Sequence, residues 1–138
     1  MDNALERDIQ DEIRKRFAGS PFFNLLNLEI KELEKGRAVI SVKPRQELLQ
    51  SAGILHGGVT ATLCDVAVAV AILTILPVNS NIATIDLKVN YLKAVQGQEI
   101  FACAEIIKLG KRIAVADVSV IDKNGDYFAA ALSTYAII

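Results

Sequence analysis

The sequence predicts an α+β fold in which one antiparallel sheet wraps around a single long buried helix, with a short helix ahead of it. Three observations carry this. From Val59 to Leu76 every residue is apolar except Thr60, Thr62, Asp65 and Thr74, and a helix apolar all round is a buried helix. Segments further along alternate with a period of two, as half-buried strands do. Leu5, Ile9, Ile13 and Phe17 recur every four residues, the mark of an amphipathic helix.

The elements follow in order. Residues 4–18 form the first helix, with Asn3 and Glu6 as its capping pair and Gly19-Ser20-Pro21 as its stop. Phe22, Phe23, Leu25 and Leu26 make an apolar connector. They line a pocket or pack the helix onto the sheet, and packing is the more economical role. Two strands, 28–34 and 37–43, turn at Lys35-Gly36, and 45–56 reads as a loop. Gly57-Gly58 opens the central helix, which Pro77 stops after about Leu76. In the strand beyond Asn81, Ile85, Leu87, Val89 and Tyr91 alternate with Thr84, Asp86, Lys88 and Asn90. Strands 99–109 and 112–122 turn at Gly110-Lys111, and strand 127–137 follows the Asn124-Gly125 hairpin signal. The last four strands read as an antiparallel meander.

Length and composition set bounds. The 138 residues, 52% hydrophobic and 22% charged, fit one globular domain over 1–138. A net charge of −1 argues against a general nucleic-acid binder. The apolar run from Val66 to Val78 is broken by Thr74 and Pro77 and is too short to span a bilayer. A charged N-terminus is unlike a signal peptide. Cys64 and Cys103 read as free buried thiols of a reducing compartment. A cytoplasmic protein, away from membranes and nucleic acid, is the expectation.

The chemistry gathers at the central helix. A carboxylate in an apolar helix is rarely tolerated unless something requires it, which singles out Asp65. Gly57 and Gly58 leave backbone N–H groups free at the helix start, with the positive end of the helix dipole behind them. Such a site suits a developing oxyanion. Eight residues of helix put Gly57 and Asp65 ~12 Å apart, too far to act on one substrate atom. If they share a site, it lies across a two-fold dimer interface. His56, the one histidine, orients a loop more readily than it performs acid–base chemistry here. Zinc, dinucleotide and nucleoside-triphosphate motifs are absent. Lys108, Lys111 and Arg112 cluster at a strand turn, Lys88 and Lys93 lie on a neighbouring strand and its exit, and together they suit phosphate groups.

Leu55-His56-Gly57-Gly58 followed by Asp65, in the pattern H-G-G-x(6)-D, within strand–strand–helix–four strands resembles the hot-dog fold acyl-CoA thioesterases of the PaaI-like branch. Ser20-Pro21-Phe22, Tyr91-Leu92-Lys93-Ala94 and Leu109-Gly110-Lys111 are similar to further pieces of that pattern, so the resemblance covers nearly the whole chain. It implies the hot-dog fold and hydrolysis of an acyl-CoA to a carboxylic acid and coenzyme A. It implies Asp65 as nucleophile or general base and the Gly57 N–H as oxyanion donor. Gln50 stands where the family often has Asn, and Thr84 matches a small hydroxyl residue that positions the attacking water. Coenzyme A contacts fall on Gly58, on Tyr91 to Ala94, and on Lys108 to Arg112 (including Leu109 and Gly110). No metal or redox cofactor is implied. The family expectation is a homodimer, paired further into a homotetramer. Two other readings remain open from the residues: a non-catalytic acyl-CoA binding module, and an acyl thioester dehydratase or hydratase pairing His56 with Asp65.

Overall fold

The computed structural model describes residues 3–138. In chain order it comprises α1 (Arg7–Ala18), α2 (Pro21–Leu25), β1 (Glu29–Glu34), β2 (Arg37–Val42), a 3₁₀ turn (Gln46–Leu48), α3 (Gly57–Leu73), β3 (Ile82–Tyr91), β4 (Ile100–Leu109), β5 (Ile113–Ile121) and β6 (Tyr127–Ile137). The six strands form one sheet in the order β1-β2-β4-β5-β6-β3, with antiparallel neighbours throughout. α3 packs on one face of it, chiefly against β2 and β4. This is the hot-dog arrangement, a sheet around a long helix with a short N-terminal helix beside them.

The start of the chain differs from expectation in two ways. α1 begins at Arg7, and Asn3 does not cap it: Glu6 is the N-cap residue and makes no side-chain capping bond. The Asn3 carbonyl instead accepts from the Lys35 N–H at 3.0 Å, tying the N-terminal segment to the β1–β2 turn. The expected connector is a short helix, α2. Ser20 accepts from the Phe23 N–H at 3.4 Å and Pro21 sits in the first turn, a combination that starts helices. Phe23 and Leu26 are buried, whereas Phe22 and Leu25 are exposed.

The expected four-strand meander is three strands long, β4-β5-β6. β3 lies at the far side, paired only with β6. β4 already pairs with β2 from Arg37↔Glu105 to Val42↔Ile100, so the open edge of the meander belongs to β6. β3 therefore forms one border of the sheet, and its outer N–H and C=O groups face away from every other strand.

β3 also departs from simple alternation. A bulge shifts its register between Thr84 and Asp86. Thr84 lies opposite Tyr135, while Leu87, Val89 and Tyr91 lie opposite Ser133, Ala131 and Ala129. Ser133, Ala131, Ala129 and Tyr135 are all buried. Thr84 thus shares the helix-facing side with Leu87, Val89 and Tyr91, and Ile85 is 57% exposed. Unbroken alternation predicts the reverse for that pair. A bulge re-aims side chains in this way by setting two residues against one.

α3 ends at Leu73, not near Leu76. The Thr74 hydroxyl donates to the Ala71 carbonyl at 2.6 Å and accepts from the Gly36 N–H at 2.8 Å, fastening the helix end to the β1–β2 turn. Ten of its seventeen residues are buried, but Ala61, Thr62, Asp65, Val66 and Ala69 are only half-buried. These recur three or four apart, so one stripe of a helix that reads as apolar all round is uncovered in the single chain. Asp65 sits in that stripe, not in the dry core.

Cys64 and Cys103 are both free, the first buried and the second half-buried. Burial, with Asp65 adding to it, pushes the Cys64 thiol from 9.0 up to about 12. An unfolded chain releases this proton near pH 9 and the folded one does not, so the folded state holds more protons above that pH. Stability is then complete below about pH 9 and declines by about 1.4 kcal/mol per pH unit above it. Urea unfolding of the wild type is expected to lose about 1 kcal/mol more between pH 8 and pH 10 than unfolding of Cys64→Ala. Equal losses in the two proteins contradict the assignment.

Candidate active site

One half of the site is the start of α3. The His56 imidazole caps the helix, its Nδ1 accepting from the Gly58 N–H at 2.8 Å. The Val59 N–H is taken by the His56 carbonyl at 2.9 Å. The Tyr91 hydroxyl donates to the Gly57 carbonyl at 2.6 Å, so the peptide joining Gly57 to Gly58 is held from both sides. The Gly57 N–H has no acceptor among the described residues. It remains as a donor at the positive end of the helix.

The two glycines are needed for space, not for unusual backbone angles, since neither has a positive φ. A Cβ on Gly57 would lie 3.3 Å from the Tyr91 ring and hydroxyl, and one on Gly58 would lie 3.0 Å from His56 Nδ1. Each glycine thus makes room for the side chain that positions the turn. His56 works as an orienting residue. It accepts through Nδ1 only as a neutral imidazole.

Gly57 lines a cavity of about 410 Å³ together with Gln50, Thr60, Tyr91, Leu92, Lys93 and Ala94. Gln50 Oε1 accepts from the Ala52 N–H at 2.7 Å, which leaves its NH₂ as the available donor. The Leu92 and Lys93 N–H groups bond to the Phe128 carbonyl at 2.9 and 3.3 Å. The Lys93 ammonium lies 5.3 Å from the centre of the Phe128 ring.

The other half is Asp65. Its Oδ1 accepts from Thr84 Oγ1 at 2.8 Å and from the Tyr135 hydroxyl at 2.8 Å. That hydroxyl is also 2.9 Å from the Asp65 carbonyl. Oδ2 has no hydrogen-bond partner among the described residues. Burial raises the Tyr135 pKa, with the Asp65 charge adding to it against a lowering contact from Thr84, so the phenol stays a neutral donor. The carboxylate is partnered, not stranded, and one oxygen is held while the other is left open. Tyr135 was not among the sequence candidates. A buried tyrosine needs a hydroxyl partner, but which partner depends on β6 lying beside β3.

The structure keeps these halves apart within one chain. Both are anchored on β3, with Thr84 near one end and Tyr91 at the other. It divides the basic residues too. The turn carrying Lys108, Lys111 and Arg112 lies at the Thr84 end, because Leu109 opposes Ala114, Ala114 opposes Tyr135 and Tyr135 opposes Thr84. Gly110 closes that turn with its N–H on the Ile113 carbonyl at 2.8 Å. Lys93 is at the Tyr91 end, and Lys88 is on the opposite side of the strand from Leu87, bonded to Asn90 at 3.0 Å. A single cluster of all five is therefore not formed in one chain. Among the described residues, no three His, Cys, Asp or Glu side chains gather as metal ligands do, and no helix is long and apolar enough to cross a membrane.

This fold and this helix start define a class. The model of the thioesterase superfamily matches residues 52–129, and the chain belongs to that superfamily. Its activity is hydrolysis of thioesters. The medium/long-chain acyl-CoA thioesterase YigI of Escherichia coli is 30% identical over 132 residues, covering 85% of this chain and 85% of that protein. A thioesterase family protein from Silicibacter pomeroyi has a structure of TM-score 0.87 and 26% identity, covering 94% of this chain and 98% of that one. The phenylacetic acid degradation protein PaaI from Thermus thermophilus superposes with a TM-score of 0.78 at 27% identity, over 86% of this chain and 100% of its own.

The cap is testable by itself. His56→Ala strips the acceptor from the Gly58 N–H and is expected to cost about 0.5–2 kcal/mol in urea unfolding. His56→Asn supplies another good N-cap acceptor and is expected to recover most of that loss. Equal destabilisation by both variants contradicts a capping role.

Proposed function

We propose that this thioesterase hydrolyses acyl-CoA at two equivalent sites, each completed by a second copy of the chain. The observation that carries this is the placement of both half-sites on the uncovered edge strand β3. Antiparallel pairing of β3 with the same strand of a two-fold partner sets Thr84 beside the partner's Tyr91. Asp65 then approaches the partner's Gly57. The uncovered stripe of α3 around Asp65 supports the same contact, since its apolar residues gain cover there. The basic turn at Lys108–Arg112 is also brought toward the partner's Lys93, restoring one positive surface for the phosphates of coenzyme A.

In this site the thioester oxygen lies against the partner's Gly57 N–H, with the partner's Gln50 NH₂ as a second donor. Asp65 Oδ2 takes a proton from water as the hydroxyl adds to the carbonyl carbon, or adds to that carbon itself. Negative charge moves onto the carbonyl oxygen and is met by the N–H, a donor worth ~2.7–4 kcal/mol in the barrier. The carbon–sulfur bond then breaks, and the thiolate takes up the proton that Asp65 received from water, or one from solvent where Asp65 itself has added, and leaves as coenzyme A. Where Asp65 has added, water cleaves the resulting anhydride and restores the carboxylate. Thr84 and Tyr135 fix the carboxylate so that Oδ2, not Oδ1, points to the reaction. A dehydratase would use His56 as its acid or base, and the engagement of Nδ1 with Gly58 favours hydrolysis over that reading.

Free-thiol release from acyl-CoAs is expected to fall by 10²–10⁴-fold in Asp65→Asn, with the oligomer unchanged by light scattering. Thiol release at the wild-type rate from a well-folded Asp65→Asn protein contradicts the assignment.

A further inference from the structure

A cavity of about 390 Å³ opens beside the carboxylate. Thr84 and Tyr135, whose hydroxyls hold Asp65, form part of its wall. From there it runs between α3 and the start of β3, past Ala69, Leu73 and Ile82 and against Phe17 of α1. Ala69 and Leu73 follow Asp65 by four and eight residues on the same side of the helix, so the groove extends ~12 Å from the carboxylate.

Arg16 stands at its other end. Arg16 lines the cavity, and its Nη1 donates to the carbonyls of Val78 at 2.5 Å and Ser80 at 2.9 Å. Those carbonyls belong to the segment joining the end of α3 to the start of β3. That segment also borders a second cavity of about 620 Å³, lined by Ile9, Glu12 and residues 74–79.

We propose that the groove receives the hydrocarbon end of a straight-chain acyl group and that Arg16 is the stop that sets its length. The inference rests on the thioesterase reading of Asp65. Apart from Arg16 and Ser20, the wall beyond Thr84 and Tyr135 is hydrocarbon or aromatic, which suits methylenes and leaves an acyl hydroxyl or carboxylate unpartnered. The groove is long and lies along the helix, so a single aromatic ring at the carboxylate leaves its Leu73 and Ile82 end unfilled. A chain passing beyond the guanidinium would have to break its bonds to the Val78 and Ser80 carbonyls and lay methylenes against its charge, which is unfavourable. At roughly 1.3 Å per bond of extended chain, ~12 Å of groove holds about ten carbons.

The test is a series of saturated straight-chain acyl-CoAs from four to sixteen carbons, read as kcat/KM, with Kd for the matching S-alkyl-CoA thioethers, which cannot be hydrolysed. Both are expected to improve about threefold to fourfold per methylene up to about ten carbons, then level off. Arg16→Ala is expected to move the limit to longer chains by joining the groove to the second cavity. Ala69→Phe, which fills the groove from α3, is expected to move it to shorter ones. Turnover whose length limit is unmoved in both variants, or a preference for arylacyl-CoAs over every aliphatic, overturns the inference and leaves the hydrolase standing. Absence of thiol release from any acyl-CoA defeats the hydrolase reading. The thioether series still decides in that case: affinity rising with length and shifted in Arg16→Ala supports the groove, and affinity independent of length overturns it.

Discussion

Two hydroxyls on one oxygen of Asp65 are the contact on which the rest of the site depends. A carboxylate in an apolar helix is costly unless hydrogen-bonded, and a bond to a charged group contributes about 1.5–3 kcal/mol. Thr84 and Tyr135 come from two different strands, so the carboxylate ties α3 to both β3 and β6. Thr84 reaches it only because of the bulge before Asp86. Without that extra residue the hydroxyl would face the other side of the sheet and Ile85 would meet the helix. A local irregularity in one strand therefore decides whether the carboxylate is held and which of its oxygens is open.

The second constraint is topological. A single α3 carries both the donor at Gly57 and the acceptor at Asp65, too far apart to cooperate along one rigid helix. The proposed dimer reconciles fold and chemistry at the border of the sheet. β3 is an unpaired edge, and long exposed edges are usually blunted or covered. Here the edge runs past both half-sites, so the pairing proposed to cover it is also the one proposed to build the site. Proposed oligomerisation and catalysis become one requirement on one strand.

Much of this was legible in the sequence, for physical reasons that differ by element. β6 has the predicted bounds of 127–137 because an Asn-Gly turn acts locally. α3 was legible from its long, mostly apolar run, and His56-Gly57-Gly58 from its position at the helix start. What escaped depends on distant partners. The place of β3 beside β6 is set by β2 having already occupied the edge of β4. Tyr135 acquires its partner only through that placement, and the bulge arises from the β3–β6 register. α2 was missed although its signals, Ser20 and Pro21, are local. Its five residues are too few for a hydrophobic period to show. Hydrophobic patterning singled out Asp65, but it reports burial and says nothing about hydroxyls arriving from other strands.

The most direct test of the divided site is to mix two inactive variants. Asp65→Asn removes the carboxylate. Gly57→Pro removes the N–H at the first helical position, where the backbone suits proline after the extended His56 (φ −63, ψ 133), and its added carbons displace the Tyr91 side chain that a Cβ would meet at 3.3 Å. Each variant is to be purified, confirmed folded, then unfolded, mixed in equal amounts and refolded, and thiol release measured. If each site draws on two chains, a mixed dimer holds one intact carboxylate facing one intact N–H, and activity returns to about a quarter of wild type: half of the dimers are mixed, and each has one working site. If one chain supplies both groups, every site in the mixture is defective and activity stays at the level of the separate variants.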